Sequence, residues 1–253
     1  MLALRPARVR GGAANLADAL GARRAFRQAP TNLDEAYDFV ADFEYGQLRT
    51  RPFQIRQEML QFLARLAEDP PRSIIELGTA YGGTLFLLAC IAMPDATIVT
   101  IDMPAGPFGG GYPRTHAPLY KSFARDKQRI RLIRSDSHSP DTLKAVRETV
   151  GTTVDLLFID ADHTYEGVRS DFETYSPLVC SGGLIAFHDI VDGPPEAVGG
   201  VPRFWKELRE RMPGEEIVAD WSQGGYGIGL IRKDAHTLPT GTGTRGNADS
   251  THG

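Results

Sequence analysis

Two apolar runs end abruptly in groups that bind metals or carry protons. The first, "FIDADHTYEGV" (158–168), closes on Asp160, Asp162 and His163; the second, "LIAFHDI" (184–190), closes on His188 and Asp189. Carboxylates and imidazoles gathered this way suit two kinds of chemistry. They can hold a divalent cation, where magnesium prefers oxygen donors and manganese, iron, cobalt or zinc also accept imidazole. They can also take and return a proton near neutral pH, where histidine titrates. Asp162 reads better as a loop-capping neighbour than as a ligand, and His163 has a plainer alternative as the cap of a helix starting near Thr164.

A second constellation lies upstream, in "ELGTAYGGT" (76–84). Gly78, Gly82 and Gly83 permit a tight turn and let a ligand approach the backbone, although such a turn can serve merely to pack a helix. The spacing is not G-x-G-x-x-G, which disfavours a nicotinamide oxidoreductase. Glu76 places a carboxylate in the turn, which is unfavourable to a pyrophosphate and suits a ligand carrying an ammonium or sulfonium. Asp102 ends the next apolar run, where an acid can bind ribose hydroxyls. Asp136, flanked by Ser135 and Ser137, ends a third run and either reaches an adenine or caps its own turn.

These residues need elements to position them. Short β-rich runs occur at "SIIEL", "TIVTID", "IRLIRSD", "VDLLFID", "GLIAFHD", "EIVAD" and "YGIGLIR", and helical stretches separate the first five. One is "PDTLKAVRETV" (140–150), with Ser139 as N-cap and Pro140 at the first helical position. Strand and helix in alternation predict an α/β, Rossmann-like fold with a seven-stranded, mostly parallel sheet and helices on both faces. Near-continuous apolar strands agree with burial on both sides. The short "WSQGGYG" link between the last two runs predicts a terminal antiparallel hairpin. In such sheets ligands sit beyond the carboxyl ends of the strands, which is where the acids and histidines fall.

Composition narrows the class. A formal charge of −4 gives no electrostatic case for nucleic acid, since no basic patch dominates. The apolar run "TLFLLACIAM" is too short to span a bilayer, and the N-terminus lacks an uninterrupted apolar segment of the secretory kind. Cys90 and Cys180 read as free thiols in a reducing compartment. A soluble cytoplasmic protein is the expectation. Residues 1–70 read as an arm, including Arg5, Arg8 and Arg10, followed by amphipathic helices over 33–68; residues 71–234 form the sheet core; the tail 235–253 is expected to be disordered.

Taken in order, "IIELGTAYGGT", "IVTIDMP", "LIRSDS", "VDLLFIDADHTYEGV" and "GGLIAFHDI" resemble the successive motifs of class I S-adenosylmethionine-dependent methyltransferases over roughly residues 35–232. The resemblance implies S-adenosyl-L-methionine as cofactor. Glu76 and the turn residues Gly78, Thr79, Tyr81, Gly82 and Thr84 would lie near its methionine portion, Asp102 on its ribose, and Asp136 and Ser137 near its adenine, with Asp160 also in reach. The acids and histidines further resemble the metal-dependent O-methyltransferases, most closely the sugar-modifying branch grouped with cephalosporin-hydroxylase-like proteins of antibiotic biosynthesis. That branch places a D-x-x-H aspartate on the metal and its histidine as base, with two adjacent residues 28 positions on completing the site. Here these are Asp160, His163, His188 and Asp189. The family usually has an oxygen ligand where this chain has His188. Either His188 ligates a softer metal than magnesium, such as manganese, or it hydrogen-bonds the substrate or Asp189 while water fills the shell.

The acceptor implied is a small glycosylated or hydroxylated molecule, with a catechol or other phenol as the alternative and a non-catalytic cofactor-binding protein as the rival class. A homo-oligomer, built partly through the N-terminal helices, is also implied. Lesser candidates are His138 near the cofactor, Tyr112, Arg114 and His116 in the Gly/Pro-rich loop 104–116, and Tyr45, Arg49 and Arg51 closing over the site. Trp205 reads as core packing.

Overall fold

Side chains alternate across a strand, so a strand apolar at every position must be covered on both faces. That requirement decides the architecture. The computed structural model describes residues 16–106, 108 and 110–234; the arm with Arg5, Arg8 and Arg10 and the tail from 235 lie outside the described residues. The elements in order are α1 (Leu16–Arg27), α2 (Leu33–Asp42), β1 (Glu44–Tyr45), β2 (Leu48–Arg49), α3 (Arg56–Ala67), β3 (Ser73–Leu77), α4 (Gly83–Ile91), β4 (Thr97–Asp102), α5 (Ala117–Lys121), β5 (Arg129–Arg134), α6 (Pro140–Val150), β6 (Val154–Ile159), α7 (Tyr165–Tyr175), β7 (Val179–His188), α8 (Pro195–Val198), α9 (Val201–Arg209), β8 (Glu215–Ile217) and β9 (Ile228–Arg232).

The main sheet has the order β5-β4-β3-β6-β7-β9-β8. Strands β3 to β7 are parallel, and β9 runs antiparallel between β7 and β8. The expected Rossmann-like seven-stranded sheet with its terminal antiparallel pair is therefore what forms. Strand order reverses between β3 and β6, which pair in register from Ile74↔Leu156 to Leu77↔Ile159. A crevice opens at such a reversal, and here it lies between Gly78 and Asp160.

Each face of the sheet carries its own core. Ile74, Ile98, Leu156 and Phe158 join α1 to α5 in one cluster, through residues such as Phe26, Val40, Phe62, Phe86 and Tyr120. Ile75, Val99, Leu157 and Phe187 join α6, α7 and α9 in the other, with Trp205 buried as expected. The N-terminal helices thus share the core of the sheet. They are joined by a small β1–β2 hairpin, at Gly46, which the helical periodicity of 33–68 did not foretell.

Local chemistry sets the element ends. Asn32 caps α2 by accepting from the Asp34 and Glu35 amides, and Thr164 caps α7 by accepting from Gly167 at 3.0 Å. The cap of α7 is therefore Thr164 and not His163. Helix α6 starts at Pro140, but Ser139 makes no side-chain capping bond. Among the described residues, no helix is long and apolar enough to cross a membrane.

Candidate active site

The residues at the carboxyl ends of β3, β4, β5, β6 and β7 line one cavity of about 800 Å³. Its wall runs from Ser135, Asp136, Ser137 and His138 at one end, past Asp102 and the 78–84 turn, to Asp160, His163, His188 and Asp189. Beyond them it is closed by Arg51–Phe53, Phe108, Ala197–Val198 and Gln223–Tyr226.

The turn after β3 is held by Asp102, whose Oδ2 accepts from the Thr79 and Ala80 amides at 3.1 and 2.7 Å and whose Oδ1 accepts from Gly111 at 2.9 Å. Burial raises the Asp102 pKa, against the lowering effect of these amides. The Met103 amide acts on it as well, so four backbone donors serve this carboxylate where its side chain reaches the cavity. The glycines serve the chain's own packing. A Cβ on Gly82 would collide with the Tyr120 ring, and one on Gly83 with the backbone of Thr50–Pro52. Gly82 itself is absent from the cavity wall, whereas Gly78, Thr79, Tyr81 and Thr84 form part of it.

Glu76 corrects the expectation of a carboxylate in the turn. It lies inside β3 with no exposure, and Thr100 Oγ1 donates to its Oε2 at 2.5 Å. Burial pushes its pKa up to about 8, opposed by the Thr100 bond and reinforced by Asp160 and Asp102. Its Oε1 is buried without a partner. Glu76 forms no part of the cavity wall, so this acid sits behind the turn rather than in it.

At the reactive end four titratable groups converge, as the two quoted runs predicted. Strands β6 and β7 are neighbours, with Ile159 opposite Phe187, so Asp160 and His188 fall side by side. His163 Nε2 is 3.4 Å from Asp160 Oδ1, and His163 Nδ1 is 3.5 Å from Asp189 Oδ2. His188 Nδ1 is 3.2 Å from Asp160 Oδ1 and 3.5 Å from Asp189 Oδ1. One donor atom each from Asp160, His163 and Asp189 can be drawn within 4.8 Å of one another. Two carboxylates and an imidazole at this spacing fit a divalent cation. His163, and not His188, is the imidazole of that group, and with Nδ1 on Ala197 its Nε2 can serve either as a ligand or as a proton acceptor. The His188 Nε2 is buried without a partner, and its Nδ1 is spent on Asp160.

The imidazoles and acids shape one another. Burial alone would raise Asp160, but His188 and His163 more than offset it and hold the carboxyl down at about 2. Burial would lower His188, yet Asp189 and Asp160 bring it up to about 9. Burial likewise works against the charged form of His163, and Asp160 and then Asp189 reverse the effect, for a raised value. His163 Nδ1 is 2.6 Å from the Ala197 carbonyl. A carbonyl only accepts, so the proton of the neutral ring sits on Nδ1 and Nε2 carries the lone pair. The Phe108 ring stacks on His163 with centroids 4.9 Å apart.

Asp189 occupies the left-handed region at φ 61°, which Asp tolerates better than most residues. Tyr226, at φ 63°, donates its amide to Asp189 Oδ1 at 3.0 Å.

The remaining expectations divide. Asp162 caps its own loop, accepting from the Thr164 amide at 2.9 Å. Asp136 is exposed and accepts from the His138 amide, so its turn-capping role is realised while it still faces the cavity. Tyr112 and His116 are not offered to an acceptor: both are buried, packed on Tyr120, and Arg134 ties the Tyr112 carbonyl at 2.8 Å. Arg114 lies exposed outside the cavity wall. Of the trio expected to close over the site, only Arg51 lines it; Arg49 pairs with Glu44, and Tyr45 faces solvent.

Sequence reasoning passed over Phe53, which stacks on Tyr81 with centroids 5.3 Å apart. It also passed over Gln54, which donates from Nε2 to Asp160 Oδ2 at 2.8 Å. The glycine-rich "WSQGGYG" was read only as a hairpin link, although glycine runs of that kind also let a loop fold over a cavity.

Comparison with known proteins agrees with this layout. Residues 75–190 match the family model of a methyltransferase domain. An uncharacterized protein of Sinorhizobium fredii is 30% identical over 149 residues, covering 56% of this chain and 16% of that protein. One of Acanthamoeba polyphaga mimivirus is 28% identical over 142 residues, covering 56% of this chain and 62% of its own length. The chain thus spans less than two thirds of either relative. Similar solved structures include an O-methyltransferase from Bacillus cereus in complex with SAH, with TM-score 0.51, 20% identity and coverage of 86% of this chain and 90% of that one. The O-methyltransferase TomG from Streptomyces achromogenes, involved in tomaymycin synthesis and in complex with SAM, gives 0.52, 20%, and 87% and 96%. A cofactor-bound protein from MTB gives 0.53, 22%, and 85% and 90%. At these identities the likeness is one of fold.

Proposed function

We propose that the chain is an S-adenosyl-L-methionine-dependent, divalent-cation-dependent O-methyltransferase acting on a sugar hydroxyl of a glycosylated natural product or saccharide precursor. The observation that carries this reading is the convergence of Asp160, His163 and Asp189 in the same cavity as the 78–84 turn. The methyltransferase-domain match over 75–190 and the cofactor complexes of the similar O-methyltransferases support it.

Asp160 and Asp189 would hold the cation, magnesium or manganese. A cation there polarises an acceptor hydroxyl and lowers its pKa. His163, with Nδ1 fixed on Ala197, takes the hydroxyl proton at Nε2 as the oxygen attacks the sulfonium methyl group. Asp160, at 3.4 Å from that nitrogen, stabilises the imidazolium that results. His188 donates to Asp160 and orients it. Asp102 would meet a ribose hydroxyl and Ser135 to His138 would border the adenine, both from the cavity wall. Holding the acceptor oxygen in line with the sulfonium methyl, with S-adenosylhomocysteine as the leaving group, would supply much of the rate.

The aromatic walls favour a second acceptor class. Phe53 on Tyr81, and Phe108 on His163, present ring faces that suit a catechol or other phenol as well as the apolar face of a sugar. Methyl transfer from labelled cofactor to a panel of glycosides and catechols, with manganese or with EDTA, decides between them. Glycoside methylation lost in EDTA and restored by metal is the expected result. Transfer to catechols alone overturns the sugar assignment, and transfer that persists in EDTA overturns the cation. Self-association is proposed through α1, which leaves Leu16 and Leu20 each 47% exposed; light scattering on the eluting protein tests it.

A further inference from the structure

Gln54 touches both halves of the site. Its Oε1 accepts from Thr84 Oγ1 at 2.8 Å, at the start of the helix that follows the glycine-rich turn. Its Nε2 donates to Asp160 Oδ2 at 2.8 Å, 106 residues away in sequence. The amide is 4% exposed and has little freedom to turn. Asp160 is ionised and can only accept, so it demands the Nε2 side, and Thr84 then meets Oε1. The backbone is fixed as well: Tyr37 Oη donates to the Gln54 carbonyl at 2.8 Å, and Thr50 Oγ1 donates to the Val40 carbonyl at 3.3 Å. Residues 50–52 cross so close to Gly83 that a Cβ there would overlap their backbone. Gln54 therefore sits on a strap that α2 and α4 hold between them.

We infer that Gln54 is a positioning residue through which occupancy of the 78–84 turn and of the Asp160–Asp189 cation site strengthen one another. Its bond to Oδ2 leaves Asp160 Oδ1 facing the cluster, where His188 and His163 already find it. A ligand on the turn that settles the Thr84 hydroxyl settles the amide, and with it the set of the carboxylate. Whichever ligand arrives second meets a network already ordered, which is positive coupling without any direct contact between the two. This inference rests on the functional reading above, and its test separates the two.

The test is calorimetric titration of S-adenosylhomocysteine with and without Mn2+, and of Mn2+ with and without S-adenosylhomocysteine. The product is used because its neutral sulfur removes direct charge repulsion from the comparison. In wild-type protein each ligand should tighten the other by the same factor, as linkage requires, of about 5-fold or more. In Gln54→Met, which keeps the length and loses both bonds, each ligand should still bind alone while the factor falls to about 1, the value for uncoupled sites. Thr84→Val cuts a single arm and should lower the factor too; it decides the question if Gln54→Met fails to melt cooperatively. Full coupling in the variant that folds overturns the inference, as does wild-type protein that binds both ligands independently. Wild-type protein that binds neither overturns the functional reading itself, and this inference with it.

Discussion

A Cβ on Gly78 would occupy the space filled by the carbonyl of Asp160. The two residues end neighbouring strands at the switch point of the sheet, and the Asp160 amide donates to the Leu77 carbonyl at 2.9 Å. Gly78 is thus glycine because β6 leaves the sheet against it, and the same approach sets Asp160 at the edge of the turn. Its φ of 93° adds a second reason.

Gly78→Ala should therefore displace Asp160 as well as strain the turn. The expected loss is about 3 kcal/mol or more in urea unfolding, combining backbone strain with overpacking. Gly182→Ala is the control, since φ there is 82° but nothing lies within 4 Å of the added atom. It should cost only the left-handed term, about 1–2 kcal/mol. Mn2+ affinity should fall in the first variant and hold in the second. Equal costs for the two would remove the steric account.

His163→Ala should lower methyl transfer by about 10²–10⁴-fold, the usual worth of a positioned base. S-adenosylhomocysteine affinity should stay near that of wild type, because His163 contacts Asp160, Asp189 and Ala197 rather than the turn. Unchanged transfer in single-turnover assays would sink the base.

The sheet was legible because β3, β4, β6 and the end of β7 are covered on both faces and so read as largely apolar runs, from "SIIEL" to "GLIAFHD". The acids at their ends were legible for the same reason, as polar groups where burial stops. Contacts that cross the fold were not. Gln54 reaches Asp160 only because residues 50–54 cross the turn, and no local pattern encodes that. Glu58 resembles any acid on an amphipathic helix until the loop between β8 and β9 comes down on it. Glu76 sits at a strand end in sequence but one pleat too deep to face the ligand. Glycine and proline in 104–116 signal a surface loop correctly, whereas Arg134 and Tyr120 pull its far end, with Tyr112 and His116, into the core.

His138 makes stability depend on pH in a stated direction. Its Nε2 lies 3.3 Å from Oδ1 of Asp171, a carboxylate with no exposure whose oxygens otherwise lack hydrogen-bond partners. The Asp171 contact, against a smaller opposing effect of burial, brings the imidazole up to about 9 from 6.5. The folded state thus binds this proton more tightly than the unfolded chain. The stabilisation is complete below about 6.5 and is lost as pH rises through about 9. Thermal melting of wild type against His138→Gln should show a gap at pH 6 that closes by pH 9.5, above the range in which linkage acts. A gap that is the same at both pH values would contradict the pairing.

Glu58 offers the most demanding test of how the site is assembled. It is fully buried in α3 and accepts three donors from the loop that closes the cavity: the Ala219 amide at 2.9 Å and Gln223 Nε2 at 2.8 Å on Oε1, and the Gly227 amide at 3.0 Å on Oε2. That loop carries Tyr226, whose amide binds Asp189 and whose carbonyl accepts from the Val191 amide at 3.0 Å. A carboxyl group suits this place because it offers two acceptor oxygens to three donors. Glu58→Gln would turn an N–H toward one of the donors and leave it unpaired. The expected cost is about 2–4 kcal/mol in urea unfolding, from the weakened bonds and the orphaned donor. Because Gln223 to Tyr226 line the acceptor end, the acceptor KM should rise while S-adenosylhomocysteine affinity changes little. A variant with wild-type stability and KM would show that the loop holds its place, and Asp189 its strained backbone, without Glu58.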